Sequence, residues 1–541
     1  MRVALIAICF VLSLPVASIF AAWLGFDASA RATLSHQAST VLPGYAWQSL
    51  VLALGVGAGV AVLGVATAAA VALFRFPGRR VWEWALLLPL AMPAYVLAYA
   101  YTDALQYSGP VQGALRSAFG WQGALWPDVR SLWGAIVLFV LCLYPYVYLL
   151  TRAALGERAV HMMEAARLLG AGLRRRLFTV ALPLARPAVA AGVALALMET
   201  LADYGVGSYF GLTTFTTGIY RAWLTMNDAT AAAQLASILL VVVAVLLALE
   251  RRAQSRLRFT AARGGTRGMA ESRPVELEGG AAVAAMALCA LPVMFGFVLP
   301  ALWLGVMLVR EIGGSDVGLP LARFAQWAWS SFRLAALAAL AATLLALALG
   351  FALRRRSTGS WRDRVLGAAA RTLSLGYAVP GAVIAIGLLL PFGWVQSRWP
   401  QSGAAALFTG TIAGVVFAYV ARFSAVAMQS VEAGYTRVPV SIDDTARMLG
   451  TGALRMWARL HLPLLRRSAL AAALLVFVDT MKELPATLAL RPFGSDTLAV
   501  VAYNLARDER LAEASLPSLA IVAVGLLPVA LLARTLGRES G

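Results

Sequence analysis

Four acidic side chains form two matched pairs in an otherwise apolar sequence. Glu199 and Asp203 are four residues apart, and Asp479 and Glu483 repeat that spacing. Residues four apart share one face of a helix, so each pair predicts a local cluster of carboxylate oxygens. Ionisable groups at membrane depth are costly and usually face a cavity or a partner, and hard cations prefer oxygen ligands. We therefore expect both pairs to face the interface between the two halves of the chain, near the external end of a pathway.

A second interpretation of these acids stays open. They lie close to the predicted ends of their helices, where carboxylates also hydrogen-bond helix ends and fix the geometry between helices. Lys482 is placed to neutralise part of the second pair. The three cysteines and three histidines are scattered, so neither disulfides nor a metal site is predicted. No nucleophile and base are clustered, which argues against a membrane enzyme.

The composition requires a membrane environment around these residues. Of the 541 residues, 61% are hydrophobic and 13% are charged, with a mean hydropathy of +0.77. A soluble chain has about 45–50% apolar and about 25% charged residues. Twelve apolar stretches approach the roughly 20 residues that cross a bilayer. They are 3–24, 48–74, 82–102, 131–153, 184–204, 231–250, 281–304, 330–353, 371–391, 409–430, 464–482 and 516–534. We interpret the first as a membrane helix, because it is long for a signal peptide.

Arginine placement predicts the orientation of these helices. The net charge of +19 comes from arginines clustered between apolar stretches, for example at Arg174 to Arg176 and Arg354 to Arg356. Short basic loops stay in the cytoplasm, so both termini are predicted to be cytoplasmic. The clustering argues for a topology signal and against nucleic acid as a partner.

An internal repeat divides the chain into two halves. At an offset of 280 residues, Glu164 to Gly172 aligns without gaps with Asp444 to Gly452, and Leu182-Pro183 aligns with Leu462-Pro463. We predict a first repeat at 1–250, a polar cytoplasmic linker at 251–280 and a second repeat at 281–541. Each repeat has six spans, so the two share one orientation and are parallel repeats.

The repeated loop has the features of a rigid docking element. Strong helix formers lead to Gly170 and Gly172, which supply a helix-ending turn, and Pro183 stands at the start of the next helix, where proline is tolerated. In the second copy, Ser441 and Asp444 have the spacing of a capping box. The sequence therefore predicts a short helix, a glycine break, a basic helical segment and then a membrane span.

At these positions the chain resembles the permeases of bacterial binding-protein-dependent ABC importers, whose EAA signature is Glu-Ala-Ala, a glycine and a later Leu-Pro. The EAA loop, residues 157–183, contains Glu164-Ala165-Ala166, and the EAA-like loop, residues 437–463, has Asp444-Thr445-Ala446 instead. In that family this helix couples the permease to the ATPase. The resemblance implies ATPase-coupling residues in both loops. They are Glu164, Ala165, Ala166, Arg167, Gly170 and Gly172, and Asp444, Ala446, Arg447, Gly450 and Gly452.

The resemblance covers essentially the whole chain and is closest to the fused, double-length permeases of ferric-iron uptake. Residues 198–220 and 479–487 carry it most clearly. It implies an all-α fold of twelve transmembrane helices of the MetI-like, type I importer kind in a bacterial inner membrane. It also implies two ATPase subunits that bind ATP and magnesium, and a periplasmic solute-binding protein. The chain has no Gly-x-x-x-x-Gly-Lys-Ser/Thr loop and is expected to bind no cofactor itself.

Similar fused permeases serve thiamine, phosphonate and other small solutes, so these remain alternative substrates. A secondary transporter with six-plus-six parallel repeats is a different class that the same hydropathy allows. In such a transporter the four acids would relay protons or ions, and no ATPase would be needed.

Overall fold

The computed structural model describes residues 2–25, 28–155, 160–263, 275–314, 319–355, 361–403 and 410–539, and it is helical almost throughout. Within those residues, eleven helices are long and apolar enough to cross a membrane, and one bent pair of helices raises the number to twelve. A helix satisfies its backbone hydrogen bonds internally, as a lipid environment requires. The prediction of an all-α membrane fold is therefore confirmed.

The elements follow in chain order. The helices up to residue 263 are α1 (Arg2–Ala21), α2 (Ala28–Ser39), α3 (Leu42–Leu73), α4 (Arg79–Ala85), α5 (Ala94–Leu105), α6 (Pro110–Phe119), α7 (Leu132–Ala154), α8 (Val160–Leu168), α9 (Leu173–Arg176), α10 (Leu182–Ala202), α11 (Gly205–Tyr209), α12 (Phe215–Tyr220) and α13 (Ala229–Arg263). The later helices are α14 (Gly279–Val293), α15 (Leu299–Gly314), α16 (Leu321–Arg354), α17 (Trp361–Leu373), α18 (Gly381–Arg398), α19 (Ala413–Tyr435), α20 (Ser441–Met448), α21 (Ala453–Met456), α22 (Leu462–Met481), α23 (Pro485–Leu490), α24 (Leu498–Arg507) and α25 (Leu511–Glu539). Two short strands, β1 (Phe74–Arg75) and β2 (Val275–Glu276), form a parallel ladder.

Two predicted spans are not continuous helices. The stretch 82–102 is divided between α4, a 3₁₀ turn and α5, and the chain bends by 88° at this break. The stretch 371–391 is divided between α17 and α18 in the same way. The break in each case comes just before a proline, Pro93 or Pro380, which precedes the next helix. Proline drives the residue before it out of helical geometry, so uninterrupted hydropathy did not mean an uninterrupted helix.

The predicted linker contains more regular structure than its polar composition indicated. Helix α13 does not end at residue 250 but continues to Arg263, and β2 follows at Val275–Glu276. Residues 264–274 lie outside the described residues. The extension, residues 251–263, contains five Arg and three Ala residues, and both types are strong helix formers. Strand β2 pairs with β1, and Arg75 and Glu276 are 3.5 Å apart in an exposed ion pair.

The described chain forms two compact units, and each contains segments from both sequence halves. Unit I comprises Met1–Ser39, Gly218–Leu240 and Leu319–Ala502. Unit II comprises Thr40–Thr217, Val241–Gly318 and Tyr503–Gly541. In unit I, helix α1 from the first half packs on α17 and α18 from the second half. In unit II, helix α15 packs on α25, and both come from the second half. The boundaries at 250 and 281 concern sequence correspondence, and they stay a prediction.

The same three-helix arrangement forms the centre of each unit. In unit II, α3, α7 and α10 pack against one another, and in unit I α16, α19 and α22 do the same. Glycine permits the close approach. A Cβ atom on Gly59 of α3 would lie 2.3 Å from a methyl group of Val140, and one on Gly192 of α10 would lie 2.6 Å from the Val147 Cα. Small residues at such crossings are typical of membrane helices.

The contact between α1 and α18 yields a testable prediction for unit I. A Cβ atom on Gly387 would lie 1.9 Å from the Pro15 carbonyl oxygen, and Ser18 donates a hydrogen bond to the Gly387 carbonyl. We expect Gly387→Ala to force the two backbones apart and to destabilise the protein by about 1–3 kcal/mol. Gly393→Ala is the control on the same helix, because nothing lies within 4 Å of its added Cβ. Thermal unfolding of the purified protein measures the difference, and equal midpoints for both variants would contradict this packing.

Candidate functional site

The EAA loop begins with a short helix that ends at a left-handed glycine. Helix α8 stops at Leu168, and Gly170 has φ +80°. Gly172 is extended at φ −64° and ψ 159°, and it starts α9. Because a residue with a Cβ is strained at positive φ, glycine at position 170 lets the chain reverse directly after the helix.

The EAA-like loop has the same geometry 280 residues later. Helix α20 stops at Met448, Gly450 has φ +71°, and Gly452 has φ −64° and ψ 156°. Three backbone bonds match in each copy. In the EAA loop, the N–H groups donate to carbonyls in the pairs Leu169 to Ala165, Gly170 to Arg167 and Ala171 to Ala166. In the EAA-like loop, the equivalent pairs are Leu449 to Thr445, Gly450 to Arg447 and Thr451 to Ala446. The predicted helix, glycine break and second helix are confirmed in both loops among residues 160–183 and 437–463, whereas 157–159 lie outside the described residues.

Two details at the helix starts differ from prediction. The capping box is wrong, because Ser441 is already helical, Val440 is the cap residue, and no side chain caps α20. Pro183 and Pro463 do stand in the first turns of α10 and α22, but each helix continues from a π-helical segment, Leu177–Ala181 or Trp457–His461. Proline removes a hydrogen bond and crowds the preceding turn, and the wider π segment accommodates it.

Both loops expose apolar side chains at the tip of the short helix. Leu168 and Leu169 are 86% and 88% exposed, and Met448 and Leu449 are 89% and 79% exposed. The motif residues have matching exposure. In the EAA loop the exposed motif residues are Glu164, Ala165 and Arg167, and Ala166 is half-buried. In the EAA-like loop the exposed residues are Asp444, Thr445 and Arg447, and Ala446 is half-buried. Asp444 additionally forms an ion pair of 3.0 Å with Arg447. Exposed apolar tips next to charged residues are typical of a protein-docking surface.

The acidic pairs are not arranged as one helix face. Helix α10 ends at Ala202, and Asp203 follows it with extended backbone. Helix α22 ends at Met481, so Glu483 also lies beyond the helix of Asp479. The expectation that each pair shares a helical face is therefore wrong, because the helices end between the two members of each pair.

Asp203 and Glu483 instead hold the amides of the next short helix. The Asp203 carboxylate accepts a 2.8 Å bond from the Val206 N–H, and Glu483 accepts bonds of 2.9 and 3.1 Å from the N–H groups of Ala486 and Thr487. This is the geometry of the second interpretation of the acids, in which they fix helix ends. Glu199 and Asp479 are half-buried, and Lys482 neutralises Asp479 at 2.9 Å as predicted.

Sequence reasoning missed the principal partner of Glu483. Arg422 of α19 lies 2.9 Å from the Glu483 carboxylate, and both side chains are buried within unit I. Gly381 makes room for the pair, because a Cβ there would lie 2.4 Å from the carboxylate oxygen. No spacing rule connects residues on different helices. An arginine in the middle of an apolar span was the only available signal, since such a group needs a partner.

A second polar cluster, in unit II, surrounds the end of α24. Arg130 donates hydrogen bonds of 2.8 and 3.0 Å to both carboxylate oxygens of Glu509 and one of 3.0 Å to the Tyr209 hydroxyl. The guanidinium lowers the pKa of the Glu509 carboxyl group below its ordinary value. Tyr503 bonds the Ser208 hydroxyl at 2.7 Å. These contacts connect α11 to the segment between α24 and α25.

Comparison with known proteins shows which class of membrane protein this part of the chain resembles. Residues 60–259, which include the whole EAA loop, match the family described as binding-protein-dependent transport system inner membrane component. Over these residues the chain is therefore similar to the inner-membrane components of binding-protein-dependent transport systems, which is the class that the repeated loop indicated.

Individual relatives extend this match beyond the first half. The chain is 26% identical over 473 residues to the Fe(3+)-transport system permease protein FbpB 2 of Haemophilus influenzae, covering 85% of this chain and 83% of the relative. It is 23% identical over 440 residues to the ferric transport system permease protein FbpB of Actinobacillus pleuropneumoniae, covering 78% and 61%. The molybdenum transport system permease protein ModB of Escherichia coli K12 is 32% identical over 130 residues, covering 24% and 55%.

Proposed function

We propose that this chain forms the membrane pathway through which ferric iron, delivered by a periplasmic binding protein, enters the cell. The observation that carries the substrate is the length of the match to the Haemophilus ferric permease, which covers 85% of this chain. The molybdenum and 2-aminoethylphosphonate permeases match only 24% and 34% of the chain. Thiamine, phosphonate and other small solutes are the alternatives that the experiment below must exclude.

The proposed energy source is a pair of partner ATPase subunits, each seating one of the two loops. The EAA loop and the EAA-like loop support this stoichiometry, because each has the same turn and the same exposed apolar tip. ATP and magnesium would be bound by the partners, since the sequence has no phosphate-binding loop of the Walker type. Nucleotide binding to the ATPase dimer would stabilise one state of the permease over the other, as alternating access requires.

The proposed orientation places both loops and both termini in the cytoplasm. The arginine-rich segments that support it include Arg174 to Arg176, next to the EAA loop, and Arg354 to Arg356. The half-buried acids Glu199 and Asp479 remain pathway candidates. For Asp203 and Glu483 we propose a supporting role, in which they hold the helices beside that pathway.

Reconstitution tests the proposal. The chain is placed in vesicles with its ATPase subunit and binding protein, and ATP-driven uptake of ferric iron is compared with uptake of molybdate, thiamine and 2-aminoethylphosphonate. We expect uptake of iron alone, and none when the ATPase is left out. A complex that contains the variant Glu164→Ala/Gly170→Ala/Asp444→Ala/Gly450→Ala should still hydrolyse ATP on its ATPase subunits, but it should not transport iron.

Three outcomes contradict parts of this proposal. Uptake without the ATPase would indicate a secondary transporter. Preferential uptake of another solute would remove iron as the substrate. Normal transport by the four-residue variant would show that the two loops do not couple ATP hydrolysis to transport.

A further inference from the structure

The two loops share a docking face but differ in what lies behind it. On the buried side of α20, Asp443 is 1% exposed, although the neighbouring Asp444 points into solvent. The Asp443 carboxylate lies 2.6 Å from the Arg354 Nε at the end of α16 and 3.3 Å from the Nε2 of His461. A buried acid next to a docking helix requires an explanation, because burying charge is costly unless it is paired.

Arg354 connects this acid to the backbone around it. Its Nη2 donates hydrogen bonds of 2.9 and 2.8 Å to the carbonyls of Val438 and Pro439, in the connection between α19 and α20. His461 packs between the rings of Phe351 and Tyr435, with centroids 5.0 and 5.6 Å away. The Arg354 guanidinium thus joins α16 to α20 and to the connection before it. The Asp443 carboxylate also lies beside His461, in the π segment before α22. We call Arg354, Asp443 and His461 the clamp.

In the described part of the EAA loop, residues 160–183, the positions equivalent to Asp443 and His461 are apolar. The residues 280 positions before Arg354, Asp443 and His461 are Phe74, Met163 and Ala181. Met163 and Ala181 are as buried as their counterparts, at 5% and 0% exposed, so the same positions face inward in both copies. Only their chemistry differs. An apolar contact has no preferred direction, whereas charge-assisted hydrogen bonds hold a fixed geometry.

We propose that the clamp fixes the EAA-like loop to α16, so that the loop and the helix move as one rigid body when the ATPase moves. The EAA loop packs on apolar side chains at the equivalent positions, and it therefore shifts relative to its helix during the same movement. Arg354, Asp443 and His461 act as positioning residues, since none of them belongs to the exposed face of the loop. This proposal rests on the proposed coupling function, and it adds that the two loops are unequal partners in it.

The chain itself supplies the matched variant. Arg354→Phe/Asp443→Met/His461→Ala places behind the EAA-like loop the three residues found 280 positions earlier in the first repeat. Replacing a buried ion network completely by apolar residues often preserves folding, and the exposed tip stays unchanged. We expect the variant to bind the ATPase normally but to hydrolyse at least about fivefold more ATP per solute, the lower end of typical couplings between sites. Met163→Leu, a volume-conserving change behind the other loop, should leave the ratio unchanged.

Spin-label mobility tests the clamp without any transport measurement. Met448 and Leu168 are equivalent and almost equally exposed, so a label attached after Met448→Cys or Leu168→Cys has matched surroundings. We expect lower mobility at 448 than at 168, and the clamp substitutions should raise mobility at 448 to the level at 168. If the triple variant does not fold, Asp443→Asn, which keeps the side-chain shape, takes its place and should also raise the label mobility at position 448.

The two readouts separate this proposal from the proposed function. If the wild-type chain binds no ATPase, the proposed function fails, while the label measurements still decide whether the clamp immobilises the loop. If the triple variant and Asp443→Asn both leave mobility at 448 unchanged, the clamp proposal is overturned. A wild-type ratio of ATP to solute in a folded triple variant would overturn it equally.

Discussion

The double variant Leu168→Asp/Met448→Asp should no longer bind the ATPase partner that we propose, while the chain itself remains folded. Both side chains are more than four-fifths exposed, so the changes remove no internal packing. In the complex each new carboxylate would be buried in an apolar interface without a partner. Such a charge costs about 2–5 kcal/mol, which corresponds to at least about 30-fold weaker binding for each loop. Co-purification of a tagged ATPase subunit with the chain measures the loss.

The two loops provide the control for this variant. Leu168→Met/Met448→Leu exchanges the residues found at the two equivalent tips and keeps both apolar. This variant should retain the ATPase, since each residue already occurs in that position in one copy. If the aspartate variant retained the ATPase equally well, the exposed tips would not be the docking surface.

Apolar blocks and glycine spacing carried most of the correct predictions. Long apolar stretches identified the membrane helices, because length and hydropathy alone decide whether a helix can cross a bilayer. The turn at Gly170 and Gly450 could be predicted from the repeated loop, since glycine after a helix favours a left-handed residue. Both signals are local, so a single sequence contains them in full.

Features that depend on distant partners could not be predicted in the same way. Helix α1 is apolar on all sides, so nothing in its sequence indicates that it packs on α17 and α18 and not on its neighbours in the chain. Arg422 and Glu483 are 61 positions apart, and Arg354 and Asp443 are 89 apart. Their pairing follows from how the helices pack, and the spacing of charges along one helix does not reveal it.

The broken spans show a limit of a different kind. Hydropathy averages over a window, and it therefore overlooks a proline such as Pro93 within an apolar run. The same averaging merged the end of α10 with Asp203, although the backbone becomes extended there. Asp203 and Glu483 lie beyond the ends of their helices, where their carboxylates accept hydrogen bonds from amides of the next helix. They therefore do not share a helical face with Glu199 and Asp479 as the sequence predicted.

Glu483→Gln should strongly destabilise the protein and thereby decide between the two interpretations of the acidic pairs. The change keeps an oxygen for the Ala486 amide but removes the charge that faces Arg422 at 2.9 Å. Removing one member of a buried ion pair costs about 3–5 kcal/mol. Adding Arg422→Met should recover part of this loss, because the arginine no longer remains buried beside a neutral amide. Asp479→Asn is the control, since its partner Lys482 is partly exposed and such pairs contribute about 1 kcal/mol or less.

Thermal unfolding and uptake of ferric iron, the proposed cargo, are measured on the same preparations and give opposite patterns for the two roles of Glu483. If Glu483 holds α23 in place, Glu483→Gln lowers the unfolding midpoint, and the double variant regains both stability and uptake. If Glu483 instead binds the cargo, the midpoint stays near that of the wild type while KM for transport rises, and Arg422→Met gives no recovery. We expect the first pattern, because three hydrogen bonds from Ala486 and Thr487 already occupy the carboxylate oxygens. A carboxylate engaged in this way has little capacity left for a passing cation.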